Sequence, residues 1–367
     1  MTILLVISFL LGTGLILEGV SRIFYRRHFL VRFRPKIVGE YPFKRFVVTE
    51  DAPLYYSFKK RFHSPVVNFN RFGIRGPEPA NDGSKKRILV IGESNIFGIK
   101  LRNEEDLWSI QLEKLLAVNG YGDWEVLNAG NPGYNTVQHR AFWERELHAT
   151  KPHILLVGIG INEITQAWMM GSHWKPGTPW PNEFIYALER RSPWWNKVVG
   201  YSCLYFFLRR LKASGDVVRN PFTPKDEGFQ WLQCKDSILG NYQAIIEDAK
   251  AMGANVATFE GALAYDFQLT DDDKRRIASI QRNWDTFLKG KAQYDYEFLD
   301  MLANTFAPEM EVPHINLAKD FRQHPRRFEL YYDLGHVNGE GMTVYAKALY
   351  GHLHRLGWLT KEGEPQT

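Results

Sequence analysis

The chain has 367 residues, 44% of them hydrophobic and 24% charged, with a formal net charge of +5. These are ordinary globular values that leave ample apolar material for a large core, and the modest basic excess collects near the N-terminus instead of forming a nucleic-acid footprint. Two cysteines, Cys203 and Cys234, give neither zinc spacing nor a disulfide framework.

Ile3 to Leu17 is almost wholly apolar and is followed by Glu18, Arg22, Arg26 and Arg27. Extended to Phe24 the run reaches the roughly 20 residues that a membrane helix needs. Residues 1–25 are therefore predicted to form a single N-terminal membrane anchor. Met1-Thr2 lacks the basic start of a cleaved signal peptide, which favours an uncleaved anchor. Arg22, Arg26, Arg27, Arg32, Arg34 and Lys36 all follow the span. The positive-inside rule would hold that side in the cytoplasm, while the same cluster also suits anionic lipid headgroups. The side of the membrane that carries the rest of the chain stays open. Residues 26–84 mix aromatics, prolines and charges without a sustained period, and read as a basic juxtamembrane stem.

Arg87-Ile-Leu-Val-Ile-Gly-Glu-Ser-Asn-Ile-Phe-Gly98 is the stretch around which the remainder is organised. Ile88 to Ile91, aliphatic without alternation, suit a strand covered on both faces. Gly92 permits a tight turn, and Ser94 then stands at the carboxyl edge of a sheet, where open α/β folds place ligands. Five residues separate Gly92 from Gly98 and Ile99 precedes Lys100, so the phosphate-loop spacing fails. Ile96 occupies the position where a nucleophile elbow needs glycine. Two readings of Ser94 remain from this segment alone, a nucleophile or a helix cap.

Asn103 can cap a helix reaching Asn119-Gly120, with Leu107, Ile110 and Leu115 as its apolar face. Trp124 to Asn128 is the second strand, Ala129-Gly-Asn-Pro-Gly-Tyr134 a turn-rich loop, and Thr136 opens a helix to Leu147. His153 to Gly158 is the third strand and runs into Gly160-Ile-Asn-Glu163. Residues from about 168 to 226 are dense in aromatics and prolines, including Trp174, Trp180, Trp194 and Trp195. This insertion suits a lid, an acceptor-binding wall, an interfacial surface or a local satellite core. A helix over Phe229 to Met252, a fourth strand over Asn255 to Phe259, a helix over Tyr294 to Phe306 and a short fifth strand over Pro313 to Leu317 follow. Tyr332-Asp-Leu-Gly-His336 leads into a closing helix over Gly341 to Leu356. The alternation predicts a three-layer α/β/α fold with a mostly parallel five-stranded sheet over residues 85–360.

Ester hydrolysis through a serine needs a base, a group to orient that base, and donors for an oxyanion. His336 can be the base, with Asp333 three residues before it. A metal site built from Asp333, His336, His352 and His354 is disfavoured, because alternate residues on a helix diverge.

Gly92-Glu-Ser94, Asn128-Ala-Gly-Asn-Pro-Gly133, Gly160-Ile-Asn-Glu163 and Asp333-Leu-Gly-His336 resemble, in order, the four blocks of the SGNH/GDSL hydrolase family. The resemblance spans roughly residues 68–356, with 168–226 unmatched. It implies a flavodoxin-like sheet, Ser94 as nucleophile, His336 as base and Asp333 as its orienter. It also implies Ser94, Gly133 and Asn162 as oxyanion donors, with no metal or cofactor. Glu93 and Glu163 stand where the family usually carries aspartate. The anchor, Glu93 and Pro132-Gly-Tyr134 together resemble a membrane-associated branch of that family. The implied activity is a serine esterase that removes a short acyl group, acetyl foremost, from a carbohydrate or lipid-linked substrate. Two alternatives are an O-acyltransferase acting on an envelope polysaccharide and a catalytically inert glycan-binding or scaffold member.

Overall fold

The computed structural model describes residues 2–28, 46–81, 83–101, 103–171, 174–178, 204, 232–265, 269–280 and 291–361. In chain order its principal elements are α1 (Thr2–His28), β1 (Val47–Thr49), β2 (Tyr56–Phe58), β3 (Lys86–Gly92), α2 (Ser94–Phe97), α3 (Trp108–Val118), β4 (Trp124–Gly130), α4 (Thr136–Phe142), β5 (Ile154–Gly158), α5 (Ile161–Met170), α6 (Leu232–Ala251), β6 (Asn255–Glu260), α7 (Asp271–Ile280), α8 (Ala292–Met301), β7 (His314–Asn316), α9 (Leu317–Arg322) and α10 (Gly339–Arg355). Two compact units divide the chain, one formed by residues 1–47 and 182–221 and the other by 48–181 and 222–367.

The second unit holds the sheet, whose strand order is β4-β3-β5-β6-β7 with every pairing parallel. The expected five parallel strands are all present. Ile88, Leu89, Val90 and Ile91 are each fully buried, which explains the run of apolar residues without alternation. Ile88 and Val90 pack with Trp108, Leu112 and Leu116 of α3 and with Leu349 and Leu353 of α10. The two-residue period sends Leu89 and Ile91 to the opposite face of the sheet. Because β4 and β5 flank β3 on opposite sides, the crossovers leaving β3 and β4 diverge, and a crevice opens at the carboxyl ends of these strands. Ser94 follows β3 at that crevice.

The apolar face of α3 is rotated from the expected one. Asn103 caps only the short 3₁₀ turn Glu104–Asp106, accepting from Glu105 N–H at 3.3 Å, and the α-helix begins after Leu107. Leu107 is fully buried as expected, but the buried face of the helix itself is Trp108, Leu112 and Leu116, with Ile110 and Leu115 half-buried.

Residues 48–81, read from sequence as part of a stem, pack within the same unit as the sheet. Val67, Phe69 and Ile74 are buried in it. Arg75 is buried with them, pairs with Glu104 at 2.9 Å, and donates to the Phe97 and Gly98 carbonyls at 3.0 and 2.8 Å. It thereby satisfies carbonyls at the end of α2 that a short helix leaves open. Its backbone also bridges Asn128, on the outer edge of β4.

The N-terminal helix α1 forms over 27 residues. Among the described residues, however, no helix is long and apolar enough to cross a membrane. The expected spanning helix is thus unsupported: Gly12, Thr13 and Gly14 interrupt the apolar run, and Glu18 and Arg22 form an ion pair at 2.7 Å within it. Of the aromatic-rich segment, Trp168 is buried at the end of α5 and Trp174 is described, whereas Trp180, Trp194 and Trp195 lie outside the described residues.

His139 on α4 is fully buried, and neither ring nitrogen has a hydrogen-bond partner among the described residues. Burial pushes its imidazole down to about 3, and pushes that of His314 on β7 down to about 4. Above the ordinary histidine value both rings are neutral in folded and unfolded chains alike. Below it the unfolded chain binds protons that the folded chain refuses, so stability falls as pH drops from about 6.5, by about 1.4 kcal/mol per pH unit for each such ring. His139→Leu is expected to flatten the decline of Tm between pH 6 and pH 4 while leaving Tm at pH 8 unchanged or raised. Thermal melts of both proteins across that range check it.

Candidate active site

Four loops at the carboxyl edge of the sheet build the site, and each is fixed by local constraints. Gly92 ends β3, and a side chain there would collide with Ile96 at 2.2 Å. Ser94 is the first residue of α2, which Gly98 closes in the left-handed conformation. A side chain at Gly130 would meet the Phe97 backbone nitrogen at 2.1 Å, so only glycine lets β4 approach α2 this closely. Asn131 then donates its N–H to the Gly92 carbonyl at 2.9 Å, tying the second loop to the first.

Ser94 Oγ lies 2.7 Å from His336 Nε2, and His336 Nδ1 lies 2.7 Å from Asp333 Oδ1. The same carboxylate oxygen accepts the Gly335 and His336 backbone N–H groups, each at 3.0 Å. The tight turn Asp333-Leu-Gly-His336 thus holds acid and base in one orientation, across three residues of sequence. The three groups form a continuous line able to move a proton from the hydroxyl to the imidazole.

Asn162 opens α5, and its Nδ2 donates to the Tyr134 carbonyl at 3.1 Å. One amide hydrogen is thereby engaged and the other remains, in a plane fixed by the first. Gly133, with φ of 78°, sits in the turn Asn131-Pro-Gly-Tyr134 closed by a 3.4 Å hydrogen bond. Among the described residues the N–H groups of Ser94 and Gly133 make no hydrogen bond. Three donors are therefore left on loops that bond to one another around the serine.

Glu93 and Glu163 both reach defined partners. Glu93 Oε1 accepts the Gly160 and Asn162 backbone N–H groups, each at 2.9 Å, linking the serine loop directly to the asparagine loop. Burial pushes its carboxyl up to about 8, against the pull of those two donors. Glu163 is buried and accepts from the Thr136 backbone and hydroxyl and from Ser237 at 3.0 Å, at the N-terminus of α4. Its carboxyl is likewise raised by burial. Neither faces the triad, so their longer side chains serve to brace loops. His352, part of the His-x-His pair, instead hydrogen-bonds Asp320 at 2.9 Å.

Sequence reasoning did not single out Lys100. It follows α2 with a left-handed φ of 73°, and its ammonium pairs with Asp333 Oδ2, the oxygen that His336 does not use. Burial opposes ionisation of Asp333, but the hydrogen bonds and charges of His336 and Lys100 more than offset it and hold the carboxyl well below the usual range. No spacing rule signals this contact, because Lys100 and Asp333 meet only when the first loop and the last fold over the same sheet edge.

No family model matches the chain, and no curated protein does. Among solved structures it is similar to the lipase/acylhydrolase from Enterococcus faecalis, at 13% identity and a TM-score of 0.44, over 76% of this chain and 100% of that one. It is also similar to a GDSL-like lipase from Bacteroides thetaiotaomicron, at 13% identity and a TM-score of 0.40, over 76% and 92%. An acetyl xylan esterase matches at 14% identity and a TM-score of 0.41, over 73% and 99%.

Lys100→Met is expected to move the acid limb of the rate profile to higher pH by roughly half a unit to one unit, since a unit charge near the pair is worth about that much at intermediate dielectric. Lys100→Arg is expected to retain the native profile. Rates measured from pH 5 to pH 9 check both, and a structural defect alone would lower the rate without moving the limb. The parallel strand order and the hydrogen-bonded serine, histidine and aspartate together make a site equipped for nucleophilic acyl chemistry.

Proposed function

We propose that the protein is a serine esterase that removes a short O-acyl group, acetyl foremost, from a carbohydrate or lipid-linked substrate. The observation that carries the reading is the unbroken line from Ser94 Oγ through His336 to Asp333, with 2.7 Å at each step. Ser94 attacks the ester carbonyl as His336 Nε2 takes its proton, and Asp333 stabilises the imidazolium that forms. The negative charge that develops on the carbonyl oxygen is met by the Ser94 and Gly133 N–H groups and the free amide hydrogen of Asn162. Collapse breaks the bond to the alcohol, which leaves with the proton from His336. Water then attacks the acyl-enzyme, again giving its proton to His336, and the carboxylic acid departs as Ser94 is restored.

The resemblance at the four blocks and the aromatic composition of residues 168–226 support a sugar or lipid alcohol as the leaving group. Delivery of the acyl group to a sugar hydroxyl instead of water would use the same steps up to the acyl-enzyme. Hydrolysis of p-nitrophenyl acetate is expected to fall about a thousandfold or more in Ser94→Ala and in His336→Ala, the scale on which triad members act as a unit. Equal rates in wild type and both variants would sink the esterase and favour the inert, glycan-binding alternative. An acylated sugar accumulating in excess of free acid when a sugar acceptor is added would instead select transfer.

Attachment to a membrane belongs to the same proposal. Phe9, Leu15, Ile16, Val20 and Ile23 of α1 are each more than half exposed, whereas Ser21 is buried. An apolar surface of that kind, followed by the basic run from Arg26 to Lys36, suits the interfacial region of an anionic bilayer. The full-length protein is expected to sediment with phosphatidylglycerol-containing vesicles and a chain lacking residues 2–28 to stay in the supernatant; co-sedimentation of both would refute this role for α1.

A further inference from the structure

We infer that Tyr56 is a positioning residue for the oxyanion hole, holding the peptide that presents the Gly133 N–H to the reacting carbonyl. The inference rests on the proposed role of Gly133 as an oxyanion donor. Tyr56 lies on β2, in the segment that the sequence alone presents as a stem, and it is almost fully buried.

Its hydroxyl donates to the carbonyl of Pro132. That carbonyl and the Gly133 N–H belong to one peptide unit, and in a planar trans peptide the two point in opposite directions. Fixing the carbonyl toward Tyr56 therefore aims the N–H away from it. The constraint matters because this peptide is the central one of the turn Asn131-Pro-Gly-Tyr134. A positive φ of 78° at Gly133 makes it a type II turn. Rotating the central peptide by about half a turn would give the type I form, with the N–H reversed, and proline at the second position tolerates both forms. Glycine at the third position favours the type II form yet can adopt the type I form as well, so the turn alone leaves the peptide able to flip. The Tyr56 hydroxyl locks the orientation that leaves the N–H available, and by polarising the carbonyl it also strengthens the N–H as a donor.

Tyr56 is itself held. The Tyr134 hydroxyl donates to the Tyr56 carbonyl, and the two rings meet edge to face with centroids 4.8 Å apart. Tyr134 also offers its own carbonyl to Asn162 Nδ2 at 3.1 Å. One tyrosine pair thus orients both the backbone donor and the side-chain donor of the site, the first through Tyr56 and the second through Tyr134.

The test compares Tyr56→Phe, Tyr134→Phe, the double variant, Asn162→Ala and Ser94→Ala in the full-length protein with p-nitrophenyl acetate, alongside thermal melts. Losing an oxyanion donor outright costs about a hundredfold to a thousandfold in kcat, so loosening one is expected to cost about tenfold. Tyr56→Phe should show that loss with KM within about twofold, because the contact is made to the transition state and not to the bound ester. Tyr134→Phe should lose about threefold, and the double variant should lose no more than Tyr56→Phe alone, the non-additivity of residues acting through one another. Unchanged kcat in Tyr56→Phe, or a change confined to KM, beside a large loss in Asn162→Ala would overturn the role of Tyr56 and leave the oxyanion hole standing. Full activity in both, with Ser94→Ala inactive, would remove the oxyanion assignment and this inference with it. Activity retained by Ser94→Ala would instead refute the esterase reading on which both rest. Should Tyr56→Phe fail to fold, Tyr134→Phe decides alone, and an unchanged kcat there overturns the proposal.

Discussion

Everything at this site depends on the Glu93 carboxyl oxygen accepting two backbone N–H groups from the neighbouring loop. β3 and β5 end side by side, but strands fix only their own register and leave the loops beyond them free to diverge. Glu93, at the end of β3, reaches the Gly160 and Asn162 amides and makes the first turn of α5 continuous with the serine turn. An aspartate there would have less reach, and glutamate supplies one further methylene. Because the residue adjoins Ser94 in the chain, the side chain that fixes the Asn162 backbone is tied to Ser94 through a single peptide bond.

A second set of contacts closes the remaining loop. Gly130 lets β4 press against α2, Asn131 bonds back to Gly92, and Arg75 covers the carbonyls at the far end of α2. The helix that carries Ser94 is only one turn long and has little stability of its own. Its geometry is set by what surrounds it, including side chains from a segment that precedes the sheet. The charge distribution follows the same logic. Asp333 has donors on both oxygens, one shared by His336 and two backbone amides and the other taken by Lys100, so the carboxylate stays ionised despite its burial.

The sheet was legible in the sequence because a strand buried on both faces carries an unmistakable run, as Ile88 to Ile91 and Ile154 to Val157 do. The serine, asparagine and aspartate–histidine blocks were legible because each sits directly after a strand or in a tight turn, where spacing along the chain equals spacing in space. The apolar face of α3 was less so: Leu107 is buried as its period suggests, but the 3₁₀ turn capped by Asn103 starts the helix later, and Trp108, Leu112 and Leu116 are buried where Ile110 and Leu115 are only half-buried. Residues 48–81 gave no sustained period, because their order comes from two three-residue strands, isolated bridges and single buried side chains, not from a long regular element.

By itself the sequence determined the alternation of strands and helices, and with it the parallel sheet and the four loops that carry reactive groups. Burial and chain geometry act locally there, residue by residue, and leave a periodic trace. Only the tertiary structure decided that Lys100 meets Asp333, that Arg75 caps α2, that Tyr56 holds the Pro132 carbonyl and that Glu93 grips the loop after β5. These contacts join segments far apart in the chain, and the strand order brings them together. A side chain's own sequence neighbourhood carries no record of a partner reached only after the sheet has formed.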